Sequence, residues 1–454
     1  MMTNSIRIKF AVLKFILTAG TLLLLVGCAD QQSNPDSNEA GGQAPTHIPT
    51  RKPAAATLTP RPSPDMNGET FVIYVIASNQ EPFTQVNEVL RKGLEDYLAY
   101  QNSHGGVNGA ALEMEFSAVD EGDDRFLSAF QAAAEQDDVL VILMLAPVDQ
   151  ELYALINEQE VPVIYFGLGA ESIELKSDED HLFWVVPTPD QQLGFWLEYA
   201  LENWVTLRPE GQFDVMRLSH IGWEASEPDP VRTAALRTLV EDKNIVFASQ
   251  GGLPRTANPS AANPILDGVF NQSTMIYMDL YSYGPASVVS DLSYLDLEGM
   301  FNLAGGSWSL GINFEEFLPG IELETTVYTL LPVAWWSEVD NPGIQQAEEI
   351  FLAAGREAHE KELAYLYALA GLDLAVAAME DALFAQQGAI NVELTPEALY
   401  QALSEMEDYL VLGGLYQVGF SSGLRGPSEM RIWKYLAGED LEVESDYIPL
   451  IEND

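Results

Sequence analysis

The sequence predicts an α/β protein built on two doubly wound parallel sheets. Apolar runs of strand length, such as residues 71–77 and 139–145, are nearly unbroken by polar residues, as in strands covered on both faces. Amphipathic helical stretches separate these runs, and alternating strand with helix generates parallel sheets. The chain has 454 residues, 47% of them hydrophobic. That exceeds a single core, which stops growing near about 250–300 residues.

The first series opens at Thr70 with the strand 71–77. A helix follows, with Val86, Leu90, Leu94, Tyr97 and Leu98 on one stripe. His104-Gly-Gly-Val-Asn-Gly109 is dense turn chemistry. Next come a strand at 112–119, a helix near 124–136, the strand 139–145 and a helix at 150–158. Strands at 162–166 and 182–186 end the series. The second series runs helix 191–204, strand 213–221, helix 230–242, strand 245–249, helix 264–270, strand 274–280, helix 286–295 and strand 300–303. From Glu322 onward the chain holds a long Ala-rich helix at 365–383 and ends in a strand-rich tail. Ligands of open parallel sheets sit at the carboxyl ends of the strands. Two such domains face to face would share one cleft, and domain junctions are where pockets concentrate.

The N-terminus reads as an address. Residues 1–28 carry no acid and three bases, Arg7, Lys9 and Lys14, followed by an apolar run over 15–26. That is the pattern of a secretory signal, and the run is short for a membrane-spanning helix. It ends in Leu25-Val26-Gly27-Cys28, the only cysteine of the chain. This resembles a bacterial lipobox, which implies a diacylglyceryl thioether on Cys28 and a mature chain that begins there. Buried acyl methylenes contribute roughly 0.8 kcal/mol each, enough for two or three chains to hold a protein on a membrane. Residues 29–69 contain seven prolines and no aromatic residue. Such a segment cannot offset its ordering entropy by burial, and it predicts a tether reaching about 35 Å.

Composition excludes several functions. With 21 Lys and Arg against 69 Asp and Glu, the formal charge is −48. A nucleic-acid surface needs the opposite sign. One cysteine leaves no intrachain disulfide and no Cys-rich metal site. The five histidines, at 47, 104, 181, 220 and 359, never fall at metal-ligand spacing, and no zinc, P-loop or G-x-S-x-G motif is present. Gly167-Leu-Gly169 begins like a dinucleotide loop, yet it lacks the third glycine and follows the wrong strand. The sequence therefore predicts a protein that is not an enzyme, with no cofactor and no metal. Its acidity predicts a solvated surface and identifies no ligand.

The order of segments resembles the type I periplasmic binding proteins, and within them the branched-chain amino acid (Leu/Ile/Val) receptors of ABC importers. Glu81-Pro82-Phe83, Lys92-Gly93 and Gly105-Gly106-Val107-Asn108-Gly109 carry the start of that resemblance. The turn 119–124, the strand from Val161, the stretch 183–192, the helix 365–383 and the tail 418–423 continue it through most of residues 70–450. The resemblance implies a Venus-flytrap receptor: two lobes joined by three hinge crossovers near 186–189, 328–333 and 415–420. Lobe I would comprise 70–187 plus 330–417, and lobe II 188–329 plus 418–454. It implies a monomer that binds a small molecule in the interlobe cleft and serves an ABC permease. The location implied is the outer face of the bacterial cell membrane, held through lipid on Cys28. A sensing or degenerate flytrap that binds an envelope protein is the alternative.

The family's carboxylate contacts are missing here. No hydroxyl stands in the loop 144–149 where the family has a serine, and none at 166–170 where it has a threonine. The stretch 302–307 has no acid for an ammonium, and Asp149 adds an acid near the anion position. Each charged hydrogen bond lost costs about 1.5–3 kcal/mol. The expected ligand is therefore no branched-chain amino acid but a neutral or cationic molecule held by aromatics and a carboxylate. The candidate contacts are Phe83, Ala146, Gln150, Gly167 and Gly169 on lobe I. On lobe II they are Trp223, Glu224, Asp279, Tyr281 and Trp308. Each has a plainer reading: the tryptophans as core at strand ends, Asp279 as a helix cap, the glycines as turn formers. Tyr283 and Trp335-Trp336 read as packing.

Overall fold

The computed structural model describes residues 64–120, 125–169, 180–209, 211, 215–224, 230–255, 262–269, 272–310, 314, 326–387, 392–420, 425–435 and 441–450. The signal segment with Cys28, most of the tether, the acidic residues 121–124 and Ser421-Ser422-Gly423 lie outside them.

The first series forms β1 (Thr70–Ser78), α1 (Phe83–Ser103), β2 (Ala111–Val119), α2 (Arg125–Ala134), β3 (Val139–Leu145), α3 (Gln150–Gln159), β4 (Val163–Tyr165) and β5 (Leu182–Trp184). Its strands make a five-stranded sheet in the order β2-β1-β3-β4-β5, parallel throughout. β3 is buried at every residue, the reason its sequence shows no alternation. β2 is the sheet's edge and alternates, with most of its side chains outside the core. The turn between α1 and β2 shows why glycine is needed: a Cβ on Gly106, at φ +65°, would lie 1.7 Å from the carbonyl oxygen of Ala110.

The second series forms α4 (Pro189–Leu207), β6 (Arg217–Trp223), α5 (Pro230–Asp242), β7 (Val246–Leu253), α6 (Asn263–Val269), β8 (Met275–Asp279), α7 (Gly284–Tyr294) and β9 (Asn302–Gly305). β10 (Val327–Leu331) adds parallel to β9, and β14 (Glu429–Tyr435) adds antiparallel to β10. With β15 (Glu442–Val443) the sheet order is β15-β14-β10-β9-β8-β6-β7, and β16 (Ile448–Pro449) pairs with β14. β9 begins two residues later than its apolar run predicts. Gly299, at φ +69°, and the hydrogen bond from Met300 N to Leu297 O hold residues up to 300 in the preceding turn.

The return to the first sheet adds α8 (Pro342–Ala353), α9 (Leu363–Ala385), α10 (Pro396–Ser404), β11 (Tyr409–Val411), β12 (Tyr416–Gly419) and β13 (Gly426–Pro427). α9 is long and apolar enough to cross a membrane by length and composition, but it is the buried core helix of this lobe. Its one deeply buried acid, Asp373, accepts from Tyr97 Oη at 3.0 Å, Tyr409 Oη at 2.9 Å and Leu412 N at 2.7 Å. The chain thus passes between the sheets three times: β5 to α4, β10 to α8 and β13 to β14. The third passage lies about ten residues beyond the expected 415–420. β12 stays with the first sheet, paired to β11 and β13, and Trp184 N donates to Arg425 O at 2.8 Å. The first passage ends in a capping box: Thr188 and Gln191 exchange hydrogen bonds of 3.0 and 3.3 Å at the start of α4.

Candidate functional site

The carboxyl ends of β3 and β4 face those of β6, β8 and β9, and the expected aromatics meet there. Phe83, at the first position of α1, packs on Tyr281 just after β8, with ring centroids 5.0 Å apart and planes tilted by 36°. Tyr281 takes the edge of Trp223, at the end of β6, at 5.4 Å, and Trp223 also meets Tyr283 at 5.3 Å. Both separations fall in the range where aromatic pairs attract beyond their buried area. Next to this pair, Ser282 Oγ donates to Gln85 Oε1 at 3.1 Å. Ser282 sits at φ +55°, a strained setting for a serine. One turn of lobe II therefore docks on the first turn of α1 in lobe I by a ring contact and a hydrogen bond.

Gly169 completes the lobe I wall. At φ +64°, a Cβ there would lie 2.9 Å from Phe83 Cζ and 3.2 Å from Pro147 Cγ. Gly167 has a different role, since its Cβ would strike Val186 of the first passage at 2.5 Å. A second bridge lies at Trp308, which donates its indole N–H to Phe166 O at 3.0 Å and packs against Tyr367 of α9, with ring centroids 4.7 Å apart and planes tilted by 59°. Ser309 fixes the turn carrying Trp308, donating to Met278 O at 2.8 Å and Leu280 O at 3.1 Å.

Other candidates fall elsewhere. Ala146 is buried among Ile76, Met144, Val148 and Leu152, in a core separate from that of Phe83. Gln150 is exposed at the start of α3. Asp149 is the cap of that helix, accepting from Glu151 N at 3.0 Å and Leu152 N at 2.8 Å. A carboxylate committed to a helix N-terminus is not free for a ligand. Glu224 is exposed and extends the pairing of β6 with β7 through its N–H to Leu253 O at 2.8 Å. Asp279 is partly exposed and stands 3.7 Å from the buried imidazole of His220, on the neighbouring strand.

Four residues at the lobe boundary escaped sequence reasoning. Gln192, buried in α4, donates to Pro187 O at 2.6 Å and accepts from Ser307 N at 2.6 Å. Thr329 of β10 donates to the adjoining Gly306 O at 3.1 Å. The turn bearing Trp308 is thereby tied to both the first and second passages. Ser307 and Tyr367 are also fully buried there. An isolated Gln in an amphipathic helix gives no sequence signal of such a role; Tyr367 was hidden inside an apolar helix.

Electrostatically the cleft is quiet. Burial pushes the Tyr283 hydroxyl up to about 12, with Glu81 of lobe I adding to the shift and Arg255 opposing it. Tyr277, beneath the turn of Ser307, is raised well above its ordinary value by burial first, then by Asp279 and Asp190. These phenols remain neutral hydrogen-bonding groups at neutral pH. The arrangement is an aromatic contact between the strand ends of the two sheets, with Glu81, Arg255 and Asp279 at its edge. Among the described residues, no group of three His, Cys, Asp or Glu is placed to hold a metal ion.

No protein-family model and no curated protein sequence matches the chain. Solved structures do. A branched-chain amino acid ABC transporter protein from Thermus thermophilus with bound valine aligns at a TM-score of 0.69 and 16% identity, covering 85% of this chain and 97% of that one. A fatty acid ABC transporter substrate-binding protein from Thermomonospora curvata aligns at 0.65 and 13%, covering 85% and 94%. A solute-binding protein from R. palustris in complex with 4-hydroxybenzoate aligns at 0.63 and 14%, covering 84% and 97%. The chain has their fold, the two-lobed α/β architecture of type I periplasmic binding proteins.

Proposed function

We propose that this chain is an extracytoplasmic solute receptor, which closes two lobes on a small molecule and delivers it to an ABC importer. The observation that carries this reading is the meeting of Phe83 with Tyr281, from the strand ends of opposite sheets. Closure is a two-state equilibrium that a solute biases when it gains contacts to both lobes at once. The likeness to receptors of amino acids, a fatty acid and 4-hydroxybenzoate supports the solute-binding role. The range of those ligands leaves the solute to be argued from this cleft.

This cleft disfavours a free amino acid. The hydroxyls expected to hold its carboxylate are absent from 144–149 and 166–169, and Asp149 is spent on a helix cap. The wall is aromatic instead: Phe83, Trp223, Tyr281 and Trp308. The reading includes a lipid anchor on Cys28, a tether over 29–69 and a monomeric receptor working beside a membrane permease.

A second reading rests on the directness of the lobe contacts. Phe83 on Tyr281 and Ser282 on Gln85 close the lobes by their own side chains. A flytrap held shut in this way would suit a protein that presents one fixed surface to an envelope partner. A thermal-shift screen of amides, phenols, amino acids, polyamines, sugars and nucleosides separates the two, because a ligand raises stability by RT ln(1 + [L]/Kd). A shift with one class supports the receptor; no shift with any supports the second reading.

A further inference from the structure

We propose that Ser307 and Tyr367 form a polar subsite at the lobe boundary that takes a neutral oxygen, a hydroxyl or carbonyl, of the bound solute. This deepens the receptor reading and rests on it. Ser307 follows β9 of lobe II, and Tyr367 belongs to α9 of lobe I. Both residues are 0% exposed. Ser307 directly precedes Trp308, whose ring centroid lies 4.7 Å from that of Tyr367. Yet neither Ser307 Oγ nor Tyr367 Oη has a partner of hydrogen-bond geometry among the described residues. A buried hydroxyl left without a partner is costly. Two of them, supplied by different lobes next to one aromatic contact, call for a partner. Even were they bonded to each other, one O–H and several lone pairs would be left over.

The place fits a solute. Trp308, the next residue after Ser307, packs against Tyr367 at a tilt and bonds to Phe166 O, so an aromatic surface adjoins the two hydroxyls. Gln192 holds Ser307 N, and Thr329 holds Gly306 O, which fixes Ser307 against both passages. The serine therefore reaches the tyrosine only when the lobes are together, and an oxygen bridging the two hydroxyls favours closure.

The chemistry selects a neutral group. The residues placed there, Ser307, Trp308, Tyr367 and Phe166, bring no charged side chain. A carboxylate brought to a fully buried position without a cation bears an uncompensated desolvation cost, and so does an ammonium without an anion. A phenol, alcohol or amide bears neither, and can both donate and accept. This subsite would replace the carboxylate contacts that the loops at 144–149 and 166–169 lack.

The test uses the full-length chain, with phenol, benzyl alcohol and benzamide as neutral probes and benzoate and leucine as charged ones. Binding is measured by calorimetry and melting temperature for wild type, Tyr367→Phe, Ser307→Ala and the double variant. Each single variant should weaken the neutral probes about three- to tenfold. The double variant should lose less than the product of the two, since one oxygen bridges both hydroxyls. Without probe, Tyr367→Phe should melt no lower than wild type. If Tyr367→Phe instead melts lower and neutral-probe affinity is unchanged, the hydroxyls hold ordered water only and the subsite is refuted. Tight leucine binding, unaffected by either substitution, would refute the subsite and leave the receptor standing. Failure of every compound to bind wild type would overturn both.

Discussion

Trp308 donates its indole N–H to the carbonyl oxygen of Phe166, 3.0 Å away and on the other lobe. The carbonyl lies just past the end of β4 and the indole just past the end of β9, so the bond joins strand ends of the two sheets. With the Tyr367 ring at 4.7 Å, Trp308 is buried between the two lobes. Trp308→Phe keeps an aromatic ring against Tyr367 and removes the bond, and should lower unfolding free energy by about 1 kcal/mol. Trp308→Ala should cost about 3–5 kcal/mol. Urea denaturation followed by circular dichroism checks both values, and equal losses would mean that the hydrogen bond contributes nothing separately.

Gln192 satisfies two backbone groups that no solvent reaches. Gln192→Leu leaves Pro187 O and Ser307 N unpartnered, and a loss of about 2–4 kcal/mol is expected. Hydrogen exchange localises it: the Ser307 amide should lose protection while the amides of α9 keep theirs. Uniform loss across the chain would show Gln192 to be ordinary core.

Gly169 is confined twice, by its positive φ and by Phe83 Cζ at 2.9 Å from the missing Cβ. Gly169→Ala should destabilise the fold by about 1–2 kcal/mol. It should also displace the Phe83 ring from Tyr281, altering near-ultraviolet circular dichroism. An unchanged spectrum with unchanged stability would count against the tight wall.

Stability should rise on mild acidification. Burial holds the carboxyls of Asp291, Asp373, Glu380 and Glu429 above their ordinary values. In the folded chain these groups bind protons at a pH where the unfolded chain has lost them. Stability therefore falls as pH rises through that window and returns as it drops. Glu360 acts in the opposite sense: the Glu357 N–H first, then Lys92 and Arg356, lower it, so its contribution is lost on acidification. Four groups oppose one, and a chain of charge −48 is also relieved of self-repulsion. The melting temperature should climb as pH falls from neutral toward the ordinary carboxylate range, with a shallower slope in Asp373→Asn. A flat or falling curve in wild type would contradict this.

Sequence periodicity carried the fold furthest where burial is uniform. β3, buried at every residue, and α9, buried nearly throughout, were both legible from apolar runs alone. α8 and α10 went unmarked although each begins with a legible signal, Asn341-Pro342 and Thr395-Pro396, where the cap side chain accepts from the first turn. Of the ten candidate contacts, Phe83, Gly169, Trp223 and Tyr281 come together, and Trp308 joins the lobes nearby. Ala146 and Gln150 do not: Ala146 is buried in a separate core, and Gln150 is exposed at the start of α3, the helix that the sequence predicts from that residue. The cross-lobe partners Gln85, Gln192 and Tyr367 could not be foreseen. Their roles depend on which strand ends face each other, and no local pattern encodes that.

The account stands or falls on whether the two lobes meet at the first turn of α1 and the turn after β8. Cysteines at Gln85→Cys and Ser282→Cys, in a Cys28→Ser background that leaves no other thiol, would measure this meeting directly. The account predicts an intrachain disulfide on mild oxidation, seen as a mobility shift that reductant reverses, together with slower uptake of any solute the wild type binds. Two thiols that stay fully titratable under oxidant, in a folded chain, would contradict it.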